Sequence, residues 1–270
     1  MPVILVIVVS FSGEQSVLRY GFSFFPKQWS LEAYKFLFAL RYQLFNAYWI
    51  TIQVTLLGTV LSLMTMSFYA YAISRKDFKY RNFFTFFVVI TIMFNGGLVP
   101  WYLVSTQLLH LQDRLWGLIF PYLMDAWWVL ILRTNFRTSV PEELIEAAKI
   151  DGAGEFRLFF SVVAPLARAA LATIGLLCTL RFWNDWWLGL LLINDPRKTP
   201  LQLLLYRVYN AIQFLLQSPG NLPKEDVLSN LPANTVRMAM CVVVIAPILV
   251  VFPFFQRYFV KGLTIGAIKS

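Results

Sequence analysis

Five long apolar runs dominate the chain, at residues 46–72, 83–105, 115–132, 169–193 and 234–255. A helix rises ~1.5 Å per residue, so about 20 mostly apolar residues cross a ~30 Å hydrocarbon layer, and each run suffices. A sixth run, at 2–11, has only about ten residues. It lacks the basic flank and small-residue cleavage site of a signal peptide, and reads as the outer half of a span whose beginning is missing. Composition agrees: 59% of residues are hydrophobic, 14% are charged, and the mean hydropathy is +0.64. A soluble domain is about a quarter charged, so a soluble enzyme, a disordered chain and a coiled coil are excluded. Cys178 and Cys241 lie in apolar stretches without metal-ligand spacing, which suggests neither a disulfide scaffold nor a metal site. The expected fold is an all-α membrane protein, one transmembrane domain over 1–270 with about six spanning helices, the first truncated.

The basic residues orient it. Segments 73–82, 133–168 and 256–270 hold 12 of the 23 Lys and Arg in about 60 residues, against 10 in about 83 residues on the other side. Positive loops favour the cytoplasm, so the first set is predicted inside, with the C-terminus. The net charge of +9 reads as these loops and not as a nucleic-acid surface. The outer face then carries two long segments, 12–45 and 194–233, rich in proline at Pro26, Pro196, Pro200, Pro219, Pro223 and Pro232, as structured loops are. Within the run 83–105, Asn95-Gly96-Gly97 and Pro100 break the pattern. Two readings stay open there: a span broken where protein or a watery cavity shelters it, or a helix ending near the outer surface. Pro121 and Pro247 read as kinks.

Segment 133–168 is long for a connector and has helical pattern of its own, which is more typical of a functional loop. Ser139-Val140-Pro141-Glu142 has capping-box spacing, with Pro suited to a first turn. Glu142, Glu143 and Glu146 suit the positive end of the helix dipole. The helix is expected to run to about Ile150 and stop at Asp151-Gly152, since Gly readily takes the left-handed conformation that ends helices. A second short helix is expected over 155–163, before Pro165.

The run Glu146-Ala147-Ala148-Lys149-Ile150-Asp151-Gly152-Ala153, then Phe159, Pro165-Leu166 and Ala172-Thr173-Ile174, resembles the signature of binding-protein-dependent ABC importer permeases. Arg181-Phe182-Trp183-Asn184-Asp185-Trp186-Trp187 and Tyr258–Thr264 resemble the carbohydrate branch, the maltose-type second permease. Residues 94–102 resemble a polysaccharide- or lipoprotein-permease subset that includes alginate importers. The likeness covers essentially the whole chain and departs at the short first span and at Arg168-Ala169-Ala170-Leu171, which lacks a second Pro. It implies a type I permease fold with cytoplasmic coupling helices in a bacterial inner membrane. The implied partners are a second homologous permease, a dimer of cytoplasmic ABC ATPase subunits, a periplasmic or extracellular sugar-binding protein and membrane lipid, without nucleic acid. It also implies ATPase coupling through Glu146, Ala147, Ala148, Asp151, Gly152 and Ala153, and a C-terminal ATPase contact at Lys261, Gly262 and Lys269. No cofactor is expected on this chain, with ATP and Mg on the partner ATPase. Gly262, Gly266 and Lys269 only approach a phosphate-binding loop, with the second Gly too far from the Lys.

Ionisable residues inside spans are costly and hint at function. Asp125, Arg181 and Asp185 are three such residues. Arg181, Asn184 and Asp185 would share a helix face, flanked by Trp183, Trp186 and Trp187. Such a face could line a sugar pathway, with Arg meeting an acidic sugar's carboxylate. Alternatively, Arg181 pairs with Asp185 or Asp125 to hold helices together, and the Trp residues form an interfacial belt. His110 stands alone near an outer turn, without the companions that catalysis needs. Catalytic and metal sites are therefore expected to be none. The leading reading is a non-catalytic subunit for ATP-driven import of an oligosaccharide or polysaccharide, with acidic sugars such as alginate among the candidates. The alternatives are a membrane enzyme of lipid-linked sugar metabolism, which would need an acidic, His or metal-binding cluster at one face, and a proton-coupled transporter with internal repeats.

Overall fold

The computed structural model describes residues 2–217 and 232–266, the last part from 250 onward by backbone alone. The described residues are helical apart from turns and one isolated bridge, Ser12 to Trp29. The one helix among them that is long and apolar enough to cross a membrane alone is Arg41–Ser74. Three bent pairs pass the same test together: Arg81–Met93 with Leu98–Leu108 (115°), Leu115–Tyr122 with Ala126–Ser139 (52°), and Glu155–Leu166 with Arg168–Trp183 (88°). Most of the runs expected to be single helices are thus bent or interrupted. The run 234–255 instead lies within one continuous helix, Ala233–Gly266.

Contacts group the chain into two compact units, one of Met1–Thr51 and Asp185–Val251, the other of Ile52–Asn184 and Phe252–Ser270. In the first unit, helix Ala233–Gly266 starts on a borrowed carboxylate. Glu14, itself buried, accepts from the backbone N–H of Asn234 and Thr235 at 2.9 Å each, and from the Asn234 amide and Thr235 hydroxyl at 2.8 Å each. A negative charge there satisfies orphan donors and complements the dipole. Glu14→Ala should destabilise this unit by about 2–3 kcal/mol, since charged hydrogen bonds are lost and donors are left buried. A thermal unfolding midpoint that matches wild type in the purified complex would contradict that.

The second unit carries a continuous core. Met66, Ala70 and Ile73 of the long helix pack with Val129, Leu132 and Phe136 of Ala126–Ser139, with Leu158 and Val163, and with Ile174 and Cys178 of Arg168–Trp183. The long helix approaches Arg168–Trp183 through small residues. Thr59 and Thr179 hydroxyls lie 3.3 Å apart, and a Cβ on Gly58 would fall 2.7 Å from the ring of Phe182. In hydrocarbon such close approach replaces the hydrophobic drive as the source of helix association. Phe182 is only 3% exposed, so its ring has nowhere to retreat. Gly58→Ala should therefore cost about 1–3 kcal/mol through overpacking, read as a lower melting temperature of the complex in detergent.

The break in the third run shows how a chain interrupts a helix without stranding its polar backbone. The kink expected at Pro121 is there as a 52° bend, but the helix also stops, and freed groups find partners. The hydroxyls of Ser62 and Thr65 donate to the carbonyls of Tyr122 (3.2 Å) and Leu123 (2.9 Å). Asp125 N–H reaches the Met66 sulfur at 3.4 Å, and the Asp125 carboxylate accepts from the N–H of Trp127 (3.0 Å) and Trp128 (3.2 Å). Freed backbone in a membrane needs such substitutes. Near residue 95 the chain turns by 115° and resumes as a second helix. Gly97 takes φ +84° and its N–H binds the Asn95 side chain at 2.9 Å. Pro100 is then in the first turn of helix Leu98–Leu103, where its missing donor is not needed.

Candidate functional site: a latched surface helix and a paired arginine

The segment singled out by its motif forms helix Glu142–Ile150. Its end is as expected: Gly152 adopts φ +77°, Gly152 N–H binds Lys149 C=O at 3.0 Å and Ala153 N–H binds Ala148 C=O at 2.9 Å. This is the two-bond closure that a left-handed residue permits. Its start departs from expectation. Ser139 is the last residue of the preceding helix, Pro141 occupies the cap position, and no side chain caps the new helix. The residue before a proline is driven out of the helical region, and Val140 is accordingly extended at φ −112°, ψ 106°. That leaves Ser139 on the wrong side of a stretched link. The following helix is also short, Glu155–Leu158, and continues as a π-helical turn, Phe159–Val163.

One apolar side chain, Ile145, roots the helix in the core, with Ala148 packed beside it. The other attachments are ionic and run to the 75–81 loop and the next helix. Lys149 Nζ lies 2.5 Å from Asp77 and 3.4 Å from Glu155. Asp77 also accepts from Arg75 at 2.9 and 3.1 Å, Lys76 pairs with Glu142, and the Tyr71 hydroxyl donates to Glu155 at 2.6 Å. The Arg75 hydrogen bond, followed by that of Lys149, holds the Asp77 carboxyl well below the usual carboxylate range. The Asp77 bond in turn raises the Lys149 amine above its ordinary value. A loop at the end of the long helix is therefore latched to the surface helix. Lys149 belongs to the motif, whereas Asp77, Lys76 and Tyr71 carry no motif and escape sequence reasoning. The available signal was opposite charge in two neighbouring basic segments, which does not specify pairs.

The rest of the helix surface is left open. Ile150 is 86% exposed. Glu146, Ala147, Asp151 and Gly152 are exposed as well, and Glu146 makes no ion pair among the described residues. An apolar side chain of this size beside exposed acids forms a surface suited to a partner with an apolar cleft and a basic rim. Of the expected C-terminal contacts, Lys261 and Gly262 lie on the backbone of helix Ala233–Gly266, and Lys269 lies outside the described residues.

The intramembrane residues separate. Helix Arg168–Trp183 ends before Asn184, which takes the cap position, so Asp185 lies beyond the helix. The shared face of Arg181, Asn184 and Asp185 that i, i+4 spacing suggested is therefore absent. Arg181 pairs instead with Asp125, Nη1 to Oδ2 at 2.9 Å, as one of the two pairings anticipated. Its guanidinium lies over the rings of Tyr122 (4.1 Å) and Trp128 (5.2 Å). Trp183 is only 7% exposed. Trp187 meets Trp186 edge-on at 5.6 Å, and Trp186 stacks on Tyr206 at 4.7 Å. His110 is exposed in a tight turn at φ +48°.

The chain as a whole has counterparts among known proteins. Residues 74–265 match the family described as binding-protein-dependent transport system inner membrane component. The chain is 35% identical over 270 residues, 100% of its own length and 92% of the relative's, to the polygalacturonan/rhamnogalacturonan transport system permease protein YtcP of Bacillus subtilis (strain 168). It is 34% identical, over 100% of this chain and 89% of the relative, to protein LplC of the same organism. A solved bacterial ABC transporter involved in the import of the acidic polysaccharide alginate matches with a TM-score of 0.81 at 29% identity, covering 96% of this chain and 90% of that one. A family match over most of the chain and full-length relatives converge on one assignment: the chain belongs to the binding-protein-dependent transport inner-membrane components, as a helical, non-catalytic permease subunit of a bacterial carbohydrate ABC importer whose ATPase is a separate subunit.

Proposed function

We propose that this permease forms half of the pathway by which an oligosaccharide carrying uronate groups enters the cell, with helix Glu142–Ile150 seated in a groove of the partner ATPase. The observation that carries the coupling role is the divided surface of that helix: one part latched to the bundle through Ile145 and Lys149, another open through Glu146 and Ile150. A short stiff element of this kind transmits the closing of a partner as rigid-body motion. ATP and Mg then belong to the ATPase dimer, the second permease supplies the other half of the pathway, and an external binding protein delivers the sugar. The 75–81 loop, helix Glu142–Ile150 and the C-terminal end near Lys261 and Gly262 face the cytoplasm, in keeping with the basic-residue bias. Asp125 and Arg181 lie on the pathway.

The acidic character of the substrate is supported by relatives whose names cite polygalacturonan and alginate, and by a modest cationic surplus in the outer segments, which would attract anions. The test is uptake into vesicles holding the whole importer with its binding protein, offering neutral and uronate oligosaccharides side by side. ATP-dependent accumulation of the uronate series is the expected result. Accumulation of neutral sugars alone would refute the substrate class, and failure of both series to enter would refute import of either kind of sugar.

A further inference from the structure

The Arg181–Asp125 pair joins two helices and is partly exposed. Membrane-embedded charges that serve only as ties are enclosed and fully bonded, because a polar group left open in hydrocarbon is costly. This pair is open: the Arg181 side chain is 31% exposed and that of Asp125 26%. Arg181 has five N–H donors, and among the described residues its hydrogen bond is the one from Nη1 to Asp125. Its plane is fixed all the same, resting on the Tyr122 ring at 4.1 Å while Asp125 is held by the N–H groups of Trp127 and Trp128. The result is a rigid guanidinium, half neutralised, whose Nε and Nη2 edge has no protein acceptor among the described residues.

Resting on the uronate reading above, we infer that Arg181 is a specificity-determining residue that takes substrate carboxylates on its open Nε–Nη2 edge while Asp125 stays on Nη1. A fork of two parallel N–H donors matches a carboxylate in a way that a neutral hydroxymethyl group does not. The permanent Asp125 charge weakens the hold. That suits a residue which must release each uronate to the next position, because conduction requires binding loose enough to leave. Asp125 is thus the positioning and moderating residue, and Arg181 the one that meets substrate.

The experiment uses the assembled importer in detergent and in vesicles, with a uronate trisaccharide and its carboxyl-reduced neutral counterpart as probes. Arg181→Gln should lower the uronate-to-neutral ratio of binding to the nucleotide-locked complex about tenfold, the value of one charge-assisted pair. Arg181→Lys, which keeps the charge but not the fork, should recover only part of it. Asp125→Asn keeps a good helix cap and removes the competing charge, so uronate should bind more tightly and be released more slowly, seen as lower turnover at saturation. Co-purification of the second permease and the ATPase verifies assembly of each variant. Equal loss for both sugars in Arg181→Gln, or no change in their ratio, overturns the proposal while leaving the import function standing. A wild-type importer that moves neutral sugar but no uronate overturns the substrate reading itself, and this inference with it.

Discussion

Gly152→Val is expected to cut ATP-dependent uptake about tenfold or more while leaving the complex assembled in the membrane. The effect is one of backbone conformation, since nothing lies within 4 Å of a Cβ built at this position. With φ at +77°, a β-branched residue would be strained by about 1–3 kcal/mol. The chain would escape by opening the two bonds from Gly152 and Ala153 to Lys149 and Ala148. Unwinding that end moves Ile150 and Asp151, the residues nearest the open face. A misplacement of about 1 Å at a docked element is enough to cost a large factor in a coupled process. Gly152→Asn should be mild, because Asn tolerates the left-handed region. Glu146→Lys tests the same face by charge: the helix is retained, but a basic partner rim would be repelled. Uptake and ATPase rates in reconstituted vesicles separate the cases. ATP hydrolysis should persist without transport in Gly152→Val and Glu146→Lys, and unchanged substrate-stimulated transport in both would remove the coupling role.

Reversing one charge of the latch should have the second largest effect. Lys149→Glu places three carboxylates together, with Asp77 and Glu155 already within 3.4 Å of the lysine nitrogen. The stability change will be modest, about 1 kcal/mol or less, because the Asp77 and Lys149 side chains are half open to solvent, at 51% and 39% exposure. Transport should fall more, roughly fivefold or beyond, because the helix then moves without dragging the 75–81 loop and the end of the long helix. The double reversal, Asp77→Lys with Lys149→Glu, should restore part of the activity, with Arg75 and Glu155 limiting full recovery. No rescue would mean that the latch transmits nothing.

The pH dependence of the latch follows from the same contacts. Asp77 is held below its ordinary value of 3.8, chiefly by Arg75. Its contribution is therefore fully present above that ordinary value and is lost as the pH falls through the lowered one. Lys149 is raised above its ordinary 10.5 by Asp77, so its contribution is complete below that pH and is lost only as the pH climbs through the raised value. Between these limits the latch stays closed. Coupling efficiency, the ratio of sugar moved to ATP consumed, should accordingly be flat from about pH 6 to about pH 8.5. A step within that range would have to come from another group.

Local chemistry makes part of this legible from residue order alone. The end of helix Glu142–Ile150 is readable because a left-handed closure depends on one residue, Gly152, and on bonds reaching only a turn or so back along the chain. Its start misleads for an equally local reason. The capping-box spacing of Ser139 and Glu142 ignores what Pro141 does to Val140, and an extended Val140 cannot place Ser139 over the new helix. The supposed face of Arg181, Asn184 and Asp185 assumes that an apolar run remains one helix. The chain leaves the helix at Trp183, and periodicity does not report where hydrogen bonds from other segments make an ending permissible.

By itself, the sequence determined that this chain lives in a membrane, which set of loops is the more basic, and that the motif segment forms a helix ended by glycine. Apolar length, net charge and φ preference are properties of single residues and short windows. Only the tertiary structure decided that Asp125 answers Arg181, that Ser62 and Thr65 cover the break after Tyr122, that Asp77 grips Lys149 and that Glu14 caps a helix 220 residues away. Each joins groups from distant parts of the chain whose partner is chosen by packing. In a membrane, a freed backbone group cannot turn to water, so the packing that supplies its partner also sets where a helix can break.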